Sequence, residues 1–399
     1  MLVLGIIASF SLILFLIKRK VNMGLAIISG GIALALFSRV PVVEIAIIMA
    51  KALVERQTIE LVISIFLINL LSNMMQGYGV MDKMVEYLEK LFSNTKTLLF
   101  IIPSLLSTFM VTGSAIVAAP VIDTMGDRVG ISNARKAAIN LFLRHAWYFI
   151  MPISVGIVNA SYIAGIPVKS LIFAQFPVAL ASLIAAWLVY IAPLPRSENK
   201  VVSDAKKWDV LLKVLRYTSP LLVSLTLAVW IPFYLAILLG CVLTYLVRGE
   251  TADFKALLKK SRNLPLFFAA IGIMIFKGIM ENIPGLTSLI QEIINRGLPF
   301  WLILIILPLG VGYIVANPSA IVGMLYPLLL PLVPKEQLVP TAMLIYTVGY
   351  CGYYISPIHL CQALTNEFFK VTTRELYREY RITVPVMFFA SVITYLFIS

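Results

Sequence analysis

Residues 101–117 read IIPSLLSTFMVTGSAIV, and residues 306–322 read ILPLGVGYIVANPSAIV. At an offset of 205 residues Pro103 falls on Pro308, and Ser114-Ala-Ile-Val117 falls on Ser319-Ala-Ile-Val322. The register continues without a gap, so that Tyr148-Phe-Ile-Met-Pro-Ile153 falls on Tyr353-Tyr-Ile-Ser-Pro-Ile358, with four of the six positions identical. Apolar sequence matches by chance easily. An ungapped register that aligns two prolines and a four-residue run marks an internal duplication. Both apolar stretches are interrupted by turn and cap residues, and irregular backbone is tolerated at membrane depth only where protein or a polar cavity satisfies it.

The rest of the chain is what such a reading needs. Of 399 residues, 60% are hydrophobic and 13% charged, against about 25% charged in soluble domains. Apolar runs recur from Leu2–Ile17 through Leu171–Ile191 to Leu221–Leu246. Lys18-Arg19-Lys20 follows the first run instead of preceding it, so that run reads as a retained helix and not as a cleaved signal. Crossings are expected at about 2–17, 22–38, 57–75, 136–165, 168–192, 216–230, 232–248, 263–280, 338–368 and 383–398. Two re-entrant hairpins are expected at about 97–123 and 299–333. Five crossings and one hairpin per copy make an odd count, which turns the second copy upside down. The expected fold is thus an all-α polytopic membrane protein of two inverted repeats, residues 1–195 and 214–399, joined by a cytoplasmic linker at 196–213.

Net charge is +13. With the N-terminus outside, 24 of the 32 basic residues fall in the cytoplasmic segments, as the positive-inside bias requires. Both termini are then outside, and the chain sits in the cell membrane as a multi-pass protein. The basic residues lie in short gaps between apolar runs, so they write topology and imply no nucleic-acid partner. Cys241, Cys351 and Cys361 lie in or near apolar segments and have neither a disulfide nor a metal-binding spacing. They read as packing residues.

The polar chemistry is concentrated at the breaks. At the first tip, Thr112 is a candidate N-cap and Gly113 permits an unusual φ and close approach by a ligand. At the second tip, Asn317 is the candidate cap and Pro318 suits the first helical position. Ser114 and Ser319 offer hydroxyls in the first turn. Two helix N-termini meeting near mid-membrane would hold a carboxylate or another oxyanion. Thr112, Ser114, Asn317 and Ser319, with nearby carbonyls, would alternatively ligate sodium. The second pair of breaks is at Pro152 and Pro357, flanked by Ser154, Ser356, His359 and Gln362. These segments are expected to unwind beside the tips and complete the site.

Arg144 either snorkels to the cytoplasmic interface or faces inward to bind an anion. His145 and His359 are the only histidines. Two histidines do not make a metal site, and each is a proton carrier in a coupled cycle or a neutral structural group. Lys277 and Glu281 are spaced to pair on one helix face, and Glu60 reads as interfacial. Segments near 43–54, 81–92 and 284–296 look amphipathic.

The paired TGSAIVAAP and NPSAIVGML tips, with YYISPIHLC after the second, resemble the membrane family catalogued as domain of unknown function 401. That family in turn looks like a branch of the ion transporter superfamily of gluconate, citrate, divalent-anion and arsenite carriers. The resemblance covers essentially the whole chain. It implies inverted repeats with re-entrant hairpins, a homodimer, and a transport unit moving as an elevator against a scaffold. In divalent-anion relatives a Ser-Asn-Thr motif at each tip serves substrate and sodium. Here those places read Thr112-Gly113-Ser114 and Asn317-Pro318-Ser319, a departure that leaves substrate and sodium stoichiometry open.

The function expected is ion-coupled symport, by sodium or proton, of a small organic anion, with membrane lipid as the surrounding partner and no other cofactor. A cation–proton antiporter on the same scaffold is the alternative, disfavoured because no carboxylate lies at a tip or a proline break. A channel or membrane enzyme is further off, since there is no repeated filter signature and no clustered nucleophile, base and acid.

Overall fold

The computed structural model describes residues 2–92, 94–106, 114–152, 154–195, 207–228, 230–285, 288, 292 and 299–399. Among them there is no strand, as expected for a chain whose backbone must satisfy its own hydrogen bonds in lipid. In chain order the helices are α1 (Leu2–Lys18), α2 (Met23–Phe37), α3 (Val42–Val54), α4 (Arg56–Gly77) and α5 (Val80–Leu91). Next come α6 (Thr95–Leu106), α7 (Ser114–Arg128), α8 (Asn133–Ala146), α9 (Val155–Ala164) and α10 (Val168–Ala186), the last prolonged by a π turn over Trp187–Ile191. The second half holds α11 (Lys207–Leu227), α12 (Phe233–Val247), α13 (Phe254–Lys260) and α14 (Leu264–Glu281). It ends with α15 (Phe300–Val315), α16 (Pro318–Leu329), α17 (Leu338–Tyr354), α18 (Leu360–Phe369) and α19 (Thr373–Ile398).

Five of these helices are long and apolar enough to cross a membrane: α4, α10 with its π turn, α11, α14 and α19. The remaining expected crossings are broken or short. The spans expected at 136–165 and 338–368 are each cut in two, and several others are apolar helices of 10–17 residues. The helix α11 starts at Lys207, inside the segment assigned to the linker. The amphipathic segments near 43–54 and 81–92 are the helices α3 and α5. Most of 284–296 lies outside the described residues.

Helix boundaries recur at the offset found in the sequence. The pairs α6/α15, α8/α17, α9/α18 and α10/α19 each start 205 residues apart, and α9 and α18 also end 205 apart. Both of the latter close on a left-handed residue, Gly165 at φ 65° and Lys370 at φ 53°. A lysine bears the steric cost of that conformation to keep the same turn. Packing is reciprocal between the halves: α2 lies on α14 and α12 on α4, while α9 lies on α16 and α18 on α7.

The centre is formed by α8, α16 and α17. Every residue of α8 from Lys136, of α16 from Ser319, and of α17 from Pro340 is buried. Lys136 is only 2% exposed, and its ammonium donates to Asp123 at 2.7 Å and to Asp127, so α7 is tied to α8 by charge. Arg135 does the same for α19, with Nε 2.5 Å from Glu379 Oε2. The helices α15 and α17 meet closely because Gly312 and Gly349 face each other; a Cβ on Gly312 would stand 2.0 Å from the Gly349 carbonyl oxygen.

Outward-facing side chains are large and apolar, among them Phe173, Leu246, Leu396 and Phe397, all at least 65% exposed. Trp208 and Trp230 near helix ends are similarly exposed. Such a surface suits lipid and a headgroup belt. Outside the spans, Lys83 and Lys90 flank Glu86 on α5 and hold its carboxyl down to about 2.

Candidate functional site

The second hairpin turns between α15 and α16 through Ala316, whose φ of 49° and ψ of 42° are left-handed. A non-glycine residue there costs on the order of 1–2 kcal/mol, so the surrounding packing imposes the turn. Asn317 follows in extended conformation, and its Oδ1 accepts from Ala320 N–H at 3.1 Å. Pro318 is the first residue of α16. Thr112 and Gly113 of the first tip lie outside the described residues; Ser114 opens α7, and its side chain is likewise outside the description.

The broken spans are interrupted where the prolines stand. After α8 the chain makes a 3₁₀ turn over Trp147–Phe149, passes Pro152, and restarts as α9 at Val155. After α17 it passes Pro357 and restarts as α18 at Leu360. Neither restart has a side-chain cap: Ser154 and His359 occupy the N-cap positions without accepting a helix N–H. Among the described residues no side chain caps the first N–H groups of either helix, which suits them to a ligand or water.

These starts converge on one cavity of about 480 Å³. Its wall carries Ser154, Val155 and Gly156 from α9, Asn317, Pro318 and Ser319 from α16, and Leu360 and Cys361 from α18. Asn263, the N-cap of α14, supplies a fourth helix N-terminus, and Asn69 of α4 adds an amide. Gly156 lets α9 come this close, since a Cβ there would lie 2.6 Å from the Tyr346 hydroxyl and 3.3 Å from Pro318 Cβ. Tyr148, Tyr346, Tyr350 and Tyr353 line the remainder.

Arg144 decides the electrostatics. It is 3% exposed, lines the cavity, and donates from Nε to Tyr148 Oη at 3.1 Å. Of its two expected placements, the structure has the inward one. Among the described lining residues Arg144 is the one charged side chain. With four helix N-termini it makes the cavity positive.

Several expected site residues are placed elsewhere. Ser356 is fully buried and donates to the Tyr313 carbonyl at 2.6 Å, so it satisfies α15 and does not line the cavity. Pro152 is buried and Pro357 exposed, and neither lines the cavity. His145 and His359 lie behind the wall, with ring centroids 4.9 Å apart. Lys277 chooses Gln57 across the helix interface at 2.8 Å over Glu281, whose carboxylate is 3.9 Å away. The expected pair is therefore the looser contact. Glu60 pairs with exposed Arg56 at 2.7 Å.

Cys361 was unmarked by spacing, and the fold corrects that. His145, His359 and Cys361 bring ligand atoms within 4.8 Å of one another. Helix packing unites groups that are up to 216 residues apart in the chain. Asn69, Asn263 and the tyrosines were also missed. Asn69 stands alone in the sequence, Asn263 was not read as the cap that precedes Leu264-Pro265, and Tyr148 and Tyr353 were read only as a matched pair of the repeat.

Comparison with curated proteins gives no match. One family model covers residues 2–398, nearly the whole chain, and on that coverage this chain belongs to the family described as Protein of unknown function (DUF401).

Proposed function

We propose that this protein is a secondary active transporter of a small organic anion, coupled to sodium or protons and working by alternating access. The observation that carries the reading is the cavity: a buried guanidinium and four helix N-termini face about 480 Å³, and no Asp or Glu lies among the described lining residues. Taking a guanidinium out of water costs several kcal/mol. A carboxylate in the cavity offsets that cost through charge-assisted bonds and helix N–H donors. A cavity of this size suits a small solute.

The recurrence of helix starts and the reciprocal packing of the halves support two repeats related by a pseudo-twofold axis, each with a re-entrant hairpin. On this reading α6–α7 and α15–α16 are the hairpins, and the unwound stretches at Pro152 and Pro357 lie beside their tips. Because the start of α14 follows the basic cluster Lys259, Lys260 and Arg262 and lines the cavity, we read this conformation as open to the cytoplasm. Kinship with the ion transporter superfamily, elevator motion and a homodimer belong to the same proposal. A co-transported cation would neutralise the loaded site, with Asn317 and Ser319 as its nearest described oxygen donors. The antiporter reading lacks the carboxylate it would need in this wall.

The test is a thermal-shift screen of carboxylates and inorganic oxyanions on the purified protein, with and without sodium at two pH values, followed by uptake into proteoliposomes under an imposed gradient. Anion-dependent stabilisation and gradient-driven accumulation are the expected results. Flux of no carboxylate or oxyanion in a broad panel sinks the proposal.

A pair of changes at the tip separates folding from binding. Asn317→Ala removes the cap and is expected to cost about 1 kcal/mol of stability. Asn317→Asp keeps a capping oxygen and suits the helix dipole, so stability is expected to hold. Its negative charge opposes an anion, and anion affinity is expected to fall at least ~10-fold. Unchanged affinity in Asn317→Asp would remove this tip from the site.

A further inference from the structure

Behind the cavity wall lies a cluster that the anion reading does not use. His145 sits near the end of α8, His359 caps α18, and Cys361 is in the first turn of α18. His145 and His359 are each 1% exposed, while Cys361 is partly exposed and lines the cavity. Their ligand atoms all fall within 4.8 Å of one another.

The hydrogen bonding leaves lone pairs available at the centre. His145 Nδ1 is 2.6 Å from the Leu141 carbonyl, an acceptor, so the ring proton sits on Nδ1 and Nε2 keeps its lone pair. Among the described residues that Nε2 has one hydrogen-bonding contact, the Tyr353 hydroxyl at a long 3.4 Å. An imidazole whose far nitrogen is tied to a carbonyl is in the state that a metal-ligating histidine adopts. Both ring nitrogens of His359 are buried without a well-aligned hydrogen-bond partner among the described residues, and the Tyr354 backbone is close enough to one of them for a weak bond. The other nitrogen of the neutral ring keeps its lone pair for a ligand.

We propose that His145, His359 and Cys361 bind a transition-metal ion of the zinc class, with a fourth coordination position open to the cavity. Two imidazoles and a thiolate are ligands that zinc and cobalt share, and three protein ligands leave a tetrahedral site with one open position. Metal–ligand bonds of about 2.0–2.3 Å put ligand atoms about 3.3–3.8 Å apart. The cluster therefore needs to contract by about 1 Å, within the reach of small histidine and cysteine rotations. Arg144 lies within electrostatic range of Cys361 and both histidines. Its charge opposes a divalent ion, so the site binds metal exchangeably and not as a permanent structural centre. This assignment stands on the three side chains and does not depend on the transported solute.

The test uses the full chain in detergent micelles, stripped with a chelator and titrated with Co²⁺ alone. The expected result is a thiolate-to-cobalt charge-transfer band together with the strong visible bands of four-coordinate cobalt, saturating at one ion per chain and bleached by Zn²⁺. Cys361→Ser is expected to lose the charge-transfer band, while a double Cys241→Ser, Cys351→Ser variant keeps it. His359→Gln is expected to weaken cobalt binding at least ~10-fold; gel-filtration behaviour matching the parent shows that its fold survives. No charge-transfer band in the parent protein, or a band that persists in Cys361→Ser, overturns the proposal.

Discussion

Replacing Arg144 with methionine is expected to abolish anion-dependent stabilisation while leaving the unliganded protein folded. Arg144 is 3% exposed in the middle of a helical bundle, where its Nε donates to Tyr148 Oη at 3.1 Å. Methionine fills similar volume, and its thioether packs readily among the cavity tyrosines. The anion, in contrast, loses the charged group among the described lining residues. Charge-assisted bonds of this kind contribute about 1.5–3 kcal/mol each, so affinity is expected to fall about 100-fold. Lysine is no conservative substitute, because a point charge on a flexible stem does not reproduce the planar fork. Thermal-shift titration of the strongest ligand from the anion screen gives both numbers at once. A lower melting temperature with the anion response retained would make Arg144 a structural residue.

Replacing Gly312 with leucine is expected to cost about 3 kcal/mol or more and to strip folded protein from detergent extracts. The first added atom already meets the Gly349 carbonyl oxygen at 2.0 Å, and on the facing helix α17 a Cβ added at Gly352 would stand 2.1 Å from the Leu309 carbonyl oxygen. These are backbone atoms, so no rotamer change relieves the clash. The helices α15 and α17 would have to separate, and with them the tip at Asn317 and the tyrosines of α17. Gly310, two residues away on the same helix, supplies the control: a Cβ there meets nothing within 4 Å. Gly310→Ala is expected to gain about 0.5–1 kcal/mol by removing a glycine from a helix interior. Melting temperatures of the two variants in one detergent check both signs. Equal behaviour would mean that the close crossing does not hold the bundle together.

Membrane class, helical content and the 205-residue register were legible in the chain because they rest on local chemistry. Hydropathy reports the solvent of a segment, and Asn317-Pro318 reports a helix start because cap and φ preference act within one turn. The breaks at Pro152 and Pro357 were legible for the same reason, since proline's missing N–H acts on its own turn, and 136–165 and 338–368 are each two helices. Where a contact is made by a distant helix, local chemistry is silent. Ser356 looked like a site residue beside a proline, yet its hydroxyl is used by the Tyr313 carbonyl of another helix. Lys277 pairs with Glu281 one turn away as its spacing suggests, at 3.9 Å, but its shorter contact at 2.8 Å is Gln57 on another helix.

What the residues alone determined is therefore a helical chain with segments apolar enough to cross a membrane, a 205-residue register, and helix starts at known places. Only the tertiary structure decided that Arg144 points inward, that four of those starts share one cavity, and that His145, His359 and Cys361 meet behind it. The reason is physical: capping and hydropathy act over a few residues of chain, whereas the direction of a lone polar side chain is set by whichever distant helix packs beside it.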